Sequence, residues 1–390
     1  MSGYAKAKKK LLVVTTVPET LSTILKGQPA FLARHFDLRL ATSLGDEVIL
    51  ITSNEGLELS IVPMVRGISP VRDLLSVMRM IVLLRQMRPD AVHSYTPKAG
   101  LVTMIAAWLC RVPVRIHTFT GLIFPTASGA KQKLLIWIDR LICACATRVV
   151  PEGQGVAQDL RRFGITHKPL QVIGSGNIAG VDTAYFNPAD THSVERAQTL
   201  RSALGIADSA FVFCFVGRLN RDKGLLELVR AFEQLDGGQL LLVGAHDQTA
   251  PLDARTRQVL DEHPRIHHVG FQEDIRAALL SADVLVLPSY REGFPNVLLQ
   301  AGSMSLPVIA SDINGCNEIV TPSLNGWLVP ARDSEALRLA MQVAMETSEE
   351  GLIAMGQEAR LNVKACFEQE AHWQRMVEFY QGELSREASV

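Results

Sequence analysis

Short apolar runs, rich in valine, isoleucine and leucine, alternate with longer helix-patterned stretches along the whole of this 390-residue chain. A strand that is apolar at nearly every position must be covered on both faces, and crossover helices between parallel strands supply that cover. The pattern therefore predicts an α/β protein with doubly wound parallel sheets. In the first half, strands are expected at Lys10–Val17, Glu47–Thr52, Ala91–Ser94, Val114–Phe119, Arg148–Pro151 and Gln171–Ile173. Helices are expected between them at Pro29–Leu44, Pro70–Met87, Lys98–Cys110, Ala130–Ala146 and Gln154–Phe163. In the second half, the strands fall at Phe211–Gly217, Gln239–Val243, Ile266–Val269, Val284–Pro288, Val308–Ser311 and Gly326–Val329.

A chain of this length exceeds one typical core, so two domains are expected. The segment GSGNIAGVDTAYFNPADTHSVER, rich in Gly, Asn, Asp and Pro, reads as the linker between them. It sets an N-terminal domain over 1–187, a C-terminal domain over 188–370 and a closing helix over 371–390. Ligands of open α/β sheets bind beyond the carboxyl ends of the strands, so the expected site is a cleft walled by those ends.

The net charge of −1 conceals an asymmetry. Residues 1–180 carry 22 Lys+Arg against 11 Asp+Glu, whereas residues 181–390 carry 17 against 29. A basic first half suits an anionic partner, either a membrane surface or a phosphate-bearing acceptor. The stretches PVRDLLSVMRMIVLLRQMR and AKQKLLIWIDRLICACATR mix apolar residues with arginine and lysine, and the second carries Trp137. They read either as core helices with basic ends or as membrane-docking helices. Nucleic acid is not the expected anion, because no recognition helix, zinc spacing or aromatic–basic RNA motif occurs. The six cysteines form no C-x-x-C pair and suit reduced thiols in a cytoplasm. No apolar run approaches ~18 residues, so no spanning helix is expected and the protein reads as soluble or peripheral.

Two strand exits carry the chemistry. REGFPNVLLQ (Arg291–Gln300) follows a buried strand and opens a helix, whose first N–H groups can hold phosphate while Glu292 accepts hydrogen bonds from sugar hydroxyls. GRLNRDKG places Gly217, Arg218 and Lys223 after the preceding strand FVFCFV. Two cations facing one acid across a parallel sheet suit a nucleoside diphosphate joined to a sugar.

With both exits in view, the chain resembles the retaining glycosyltransferases of the group 1 family. The resemblance is carried by GRLNRDKG, LLLVG, VGF, SADVLVLPSYREGFPNVLLQAGSMSLPVIASD, NE and NGWLV. In the first half it is carried by HSYTPKAG, RIHTFTG and VIGSGNIAGVD. It implies the GT-B fold: two Rossmann-like domains facing a cleft, with the C-terminal helix returning to the N-terminal domain. It implies that Arg218 and Lys223 grip the donor diphosphate, and that Glu292 contacts the donor sugar. Gly293, Phe294, Pro295, Asn296 and Val297 would present backbone amides to sugar and phosphate. The second acid of the family's paired-glutamate motif is replaced here by Gln300, which keeps an acceptor for ribose but no charge. Phe271 lies where family members stack or bond the base. His117 matches a histidine that reaches the donor sugar from the first domain, and Gly27, His93 and Lys98 are the acceptor-side candidates.

The implied reaction uses a nucleotide-sugar donor, expected to be a UDP-linked hexose or N-acetylhexosamine, and a lipid-linked saccharide acceptor in bacterial polysaccharide or O-antigen synthesis, which would place the protein in the cytoplasm, peripheral at the inner face of the plasma membrane. No cofactor or metal is expected, since no D-x-D and no ligand-spaced cluster occurs and the two cations supply the positive charge. Two rivals remain open at this level. One is a soluble GT-B enzyme such as a disaccharide synthase or nucleotide-sugar epimerase, and the other is a catalytically silent nucleotide-sugar-binding protein.

Overall fold

The computed structural model describes residues 7–65, 67, 69–247 and 250–387. It contains two six-stranded sheets, parallel throughout. The first is built from β1 (Lys10–Val14), β2 (Asp37–Thr42), β3 (Leu59–Ile61), β4 (Ala91–Tyr95), β5 (Val114–Phe119) and β6 (Arg148–Pro151), in the order β3-β2-β1-β4-β5-β6. The second comprises β7 (Val212–Val216), β8 (Gln239–Val243), β9 (Ile266–His268), β10 (Val284–Leu287), β11 (Val308–Ser311) and β12 (Gly326–Val329), in the order β12-β11-β10-β7-β8-β9.

The period of two explains the cores. In β1, Leu11 and Val13 point into one buried cluster, while Leu12 and Val14 point into another on the opposite face. A single cluster fills the second unit around Val212–Phe215, Leu240–Val243 and Val284–Leu287, all almost wholly buried. Both sheets reverse their strand order beside the first strand, between β1 and β4 in one and between β7 and β10 in the other. Crevices at such reversals are where doubly wound sheets bind ligands.

The division between units falls at Gly180/Val181 and again at Gln369/Glu370. This differs from the boundary read near Asn187. Residues 181–187 are tied into the second unit: Val181 donates to the Phe367 carbonyl, and Arg360 donates to the carbonyls of Thr183 and Phe186. The last helix, Gln369–Glu387, returns to the first unit, where Met376, Val377, Tyr380 and Leu384 join the cluster around Leu11 and Val13.

Three element assignments differ from the sequence reading. Pro29–Leu44 is not one helix but the short helix Gln28–Ala33 followed by β2. The strand wins because DLRLAT alternates, burying Leu38 and Leu40 and leaving Asp37 exposed. The apolar run at 47–52 lies within the helix Val48–Glu55 instead of a strand. That helix leaves Ile49 80% and Leu50 51% exposed, and its anchor is Glu55, whose carboxylate accepts from the N–H groups of Gly27 and Ala30. Residues 171–173 form no strand; Leu170 alone bridges to Val149, and Pro169 beside it has no N–H for a ladder.

Candidate active site

The second unit gathers its polar groups at the reversal between β7 and β10. Beyond β7, Asn220 accepts from the Lys223 N–H at 3.1 Å and closes the single helical turn Arg221–Lys223. Gly224 follows at φ 70°, and a Cβ there would lie 1.9 Å from the Pro288 carbonyl oxygen, so only glycine lets this turn pack against the exit of β10. The two loops are joined further: Tyr290 N–H donates to the Asp222 carbonyl at 2.8 Å, and Arg291 pairs with the Asp222 carboxylate at 2.9 Å. This packing brings Lys223 Nζ to 2.6 Å from Glu292 Oε1, with the side chains only 20% and 13% exposed. Cys316 lies within electrostatic reach of both, and its thiol is pushed well up, by burial first and then by the Glu292 charge, so it stays neutral.

Arg218 leaves the end of β7 with its side chain 65% exposed. Its Nη1 is held 2.8 Å from Asp247 Oδ2, which also accepts from Asn220 Nδ2 at 3.1 Å. Downstream, the Phe294 ring is buried against Phe367, so only its backbone is free to meet a ligand. Pro295 precedes the helix Asn296–Ser303, which carries Val297 and the half-buried Gln300. The first N–H groups of a helix have no carbonyl partner within it. Phe271, beyond β9, is 74% exposed.

In the first unit His117 lies in the middle of β5, not at a strand end, and is wholly buried. Its ring packs where the Cβ of residue 100 would be, 2.3 Å from Cε1, which is why the helix Pro97–Leu109 carries glycine there. Nδ1 is 2.9 Å from Ser94 Oγ, and Nε2 is without a partner. Burial pushes its pKa down to about 3, so the imidazole is neutral.

The profile described as "Glycosyl transferases group 1" matches residues 210–347, and "Glycosyl transferase 4-like domain" matches residues 32–176. Over 379 residues the chain is 26% identical to the capsular polysaccharide biosynthesis glycosyltransferase CapM of Staphylococcus aureus, covering 95% of this chain and 97% of the relative. It is 29% identical over 281 residues, 70% of each chain, to the UDP-Gal:alpha-D-GlcNAc-diphosphoundecaprenol alpha-1,3-galactosyltransferase of Escherichia coli. The structure of Anabaena HepE in complex with UDP and glucose superposes with a TM-score of 0.80 over 96% of this chain and 100% of the other, at 18% identity. The chain belongs to the group 1 glycosyltransferases. Its fold is GT-B.

In this glycosyltransferase Arg218, Lys223, Glu292 and the segment 293–297 all lie in the second unit, where Lys223 meets Glu292 directly and Arg218 is held by Asp247. Three acceptor-side candidates do not stand open. His93 is wholly buried, with Nδ1 2.6 Å from Tyr380 Oη and Nε2 2.6 Å from Thr118 Oγ1, so both ring nitrogens are occupied by the fold. Lys98 is spent on Asp73 at 2.6 Å, tying the helix Pro97–Leu109 to the helix Pro70–Met87, with only 10% of its side chain exposed. Gly27 gives its N–H to Glu55 at 2.7 Å, so a carboxylate of the protein already occupies the start of the helix Gln28–Ala33. The glycine there answers to its φ of 81°.

The sequence reading missed Asp247, Asn220, Ser94 and Gly100. Asn220 stands inside GRLNRDKG and could have been read as a cap three residues before Lys223. Asp247, Ser94 and Gly100 act across the sheet, and no local spacing announces them.

Proposed function

We propose that the chain moves a sugar, with retention of configuration, from a UDP-sugar to a glycan carried on a polyprenyl diphosphate, in bacterial surface-polysaccharide synthesis. The observation that carries the donor half is the Lys223–Glu292 contact at 2.6 Å across the reversal between β7 and β10, with Arg218 on the same rim. In this reading Glu292 orients sugar hydroxyls while Arg218 and Lys223 meet the charge that grows on the departing diphosphate. Interactions that strengthen only as the bond breaks accelerate the chemical step.

The acceptor hydroxyl attacks the anomeric carbon from the face that the diphosphate leaves. The carbon–phosphate-oxygen bond breaks, the new glycosidic bond forms, and a phosphate oxygen takes the hydroxyl proton. No side chain becomes a covalent nucleophile, and the two cations stand in for a divalent ion. UDP as the nucleotide and a hexose as the sugar are supported by the names of the E. coli and Anabaena proteins.

The lipid half of the reading rests on the helix Pro70–Met87. It exposes Val71, Leu74, Leu75, Met78 and Val82 together with Arg72, Arg79 and Arg85. On the helix Gly129–Cys145, Trp137 is 62% exposed beside Lys131 and Lys133. Apolar and basic residues exposed together suit the headgroup region of an anionic bilayer. Among the described residues no helix is long and apolar enough to cross one. The E. coli relative is named for a diphosphoundecaprenol acceptor.

The test is nucleotide release from the purified protein over UDP-, GDP-, ADP- and TDP-sugars, with and without EDTA. Hydrolysis of one UDP-sugar, insensitive to EDTA and abolished in Glu292→Ala, is the expected result. No release with any donor, joined by no calorimetric binding of UDP, would overturn the reading.

A further inference from the structure

We propose that the second unit carries a binding site for a zinc-class divalent cation, formed by His246, Asp261 and His268. Spacing along the chain discloses no metal motif, and the sequence reading expects no such cluster. The fold nonetheless brings one ligand atom from each of the three within 4.8 Å of the others. His246 lies just beyond β8 in a bridge with Leu219, His268 ends β9, and Asp261 comes from the helix Ala254–Glu262.

The tautomer of His268 is settled by its surroundings. Its Nε2 is 2.9 Å from the Gly244 carbonyl oxygen, which can only accept, so Nε2 carries the hydrogen and Nδ1 keeps its lone pair. A backbone carbonyl holding the far nitrogen of an imidazole is the usual support behind a metal-ligating histidine. The His246 and His268 rings meet edge to face at 5.4 Å. All three side chains are exposed, so rotation about their own bonds can close the cluster. Donor atoms around a tetrahedral ion with bonds of ~2.0–2.1 Å stand roughly 3.3 Å apart. Two imidazoles and one carboxylate suit zinc and its neighbours over magnesium or calcium, which prefer all-oxygen sets, and water completes the fourth position.

The site is separate from the transfer chemistry but adjoins it in sequence and structure. His246 directly precedes Asp247, the carboxylate that holds Arg218, and Asp247 N–H donates to the Leu219 carbonyl at 3.2 Å. An ion on His246 therefore pins the segment that carries the partner of Arg218.

The full chain, stripped with EDTA and exchanged into metal-free buffer, is titrated with Zn²⁺ by calorimetry and with Co²⁺ by visible absorption. The expected result is one saturable equivalent per chain, with a tetrahedral Co²⁺ band. His268→Ala and Asp261→Asn should each weaken binding about tenfold or more, and Asp261→Asn should leave the unfolding midpoint of the metal-free protein unchanged. His267→Ala, whose ring is bonded to Gln239 instead, should bind as the wild type does. Absence of a one-to-one isotherm in the wild type, or equal affinity in the wild type and a His268→Ala/Asp261→Asn double variant, overturns the proposal.

Discussion

Lys223 and Glu292 hold one another in a nearly closed corner, so neither can be removed without stranding the other. Replacing Lys223 by alanine is expected to lower kcat for sugar transfer by roughly 100-fold or more, the usual cost of one donor aimed at developing charge. Arg218→Ala should act in the same direction, and Asp247→Ala less, because Asp247 only positions the guanidinium. Initial rates at saturating donor would check the order, and an unchanged kcat in both cation variants would remove the transfer mechanism proposed above. Buried titratable groups make a second, independent prediction. His117 and His372 are held neutral by burial, with pKa values pushed down to about 3 and about 4, and His93 is lowered as well. The unfolded chain takes up these protons below about pH 6.5, so each histidine costs stability as pH falls from there towards its folded value, by about 1.4 kcal/mol per pH unit. Asp139 has the opposite sign, since burial raises its pKa from 3.8 to about 7. Asp139→Asn should therefore raise the unfolding midpoint at pH 8, with the gain shrinking as pH falls from about 7 towards 4. Thermal denaturation across that range measures both effects.

Elements differ in how far their sequences speak for them. The strands buried on both faces, such as FVFCFV and DVLVL, are unmistakable because nothing but a covered parallel strand accommodates them. The stretch from Gln28 to Glu55 is harder, since VILITS has strand-like composition and folds as a helix. What decides it is a long-range bond: Glu55 reaches back to the start of the helix Gln28–Ala33. The donor-side corner was legible for the same reason that the buried strands were, because Arg218, Lys223 and Glu292 stand in short contiguous motifs. The intramolecular partners of His93, Lys98 and Gly27, namely Tyr380, Asp73 and Glu55, lie far away in the chain, so no local spacing discloses them. The helix Pro70–Met87 could be read two ways, and its exposed apolar residues make the docking proposal testable. Leu74→Glu with Met78→Glu should weaken co-sedimentation with anionic vesicles at low salt by about tenfold or more, at ~1 kcal/mol or more per change. UDP binding should not change, and undiminished vesicle binding would discard the docking face.

At the scale of the whole molecule, the last helix is a structural part of the first unit. Tyr380 is wholly buried there and supplies the bond to His93 Nδ1. Tyr380→Phe leaves that nitrogen without its partner and should cost about 1–3 kcal/mol, measurable as a lower urea midpoint at constant slope. Transfer activity in the folded fraction should be retained, which separates this role from any contact with the acceptor. The return of the chain also sets an order of events during synthesis. At translation rates of about 5–20 residues per second, the segment 181–369 delays the closing helix by roughly 10–40 s. The half made first is thus finished last, after the half made second has all of its residues. A ribosome that terminates soon after codon 369 would release a complete second unit joined to a sheet with one flank of its core still uncovered.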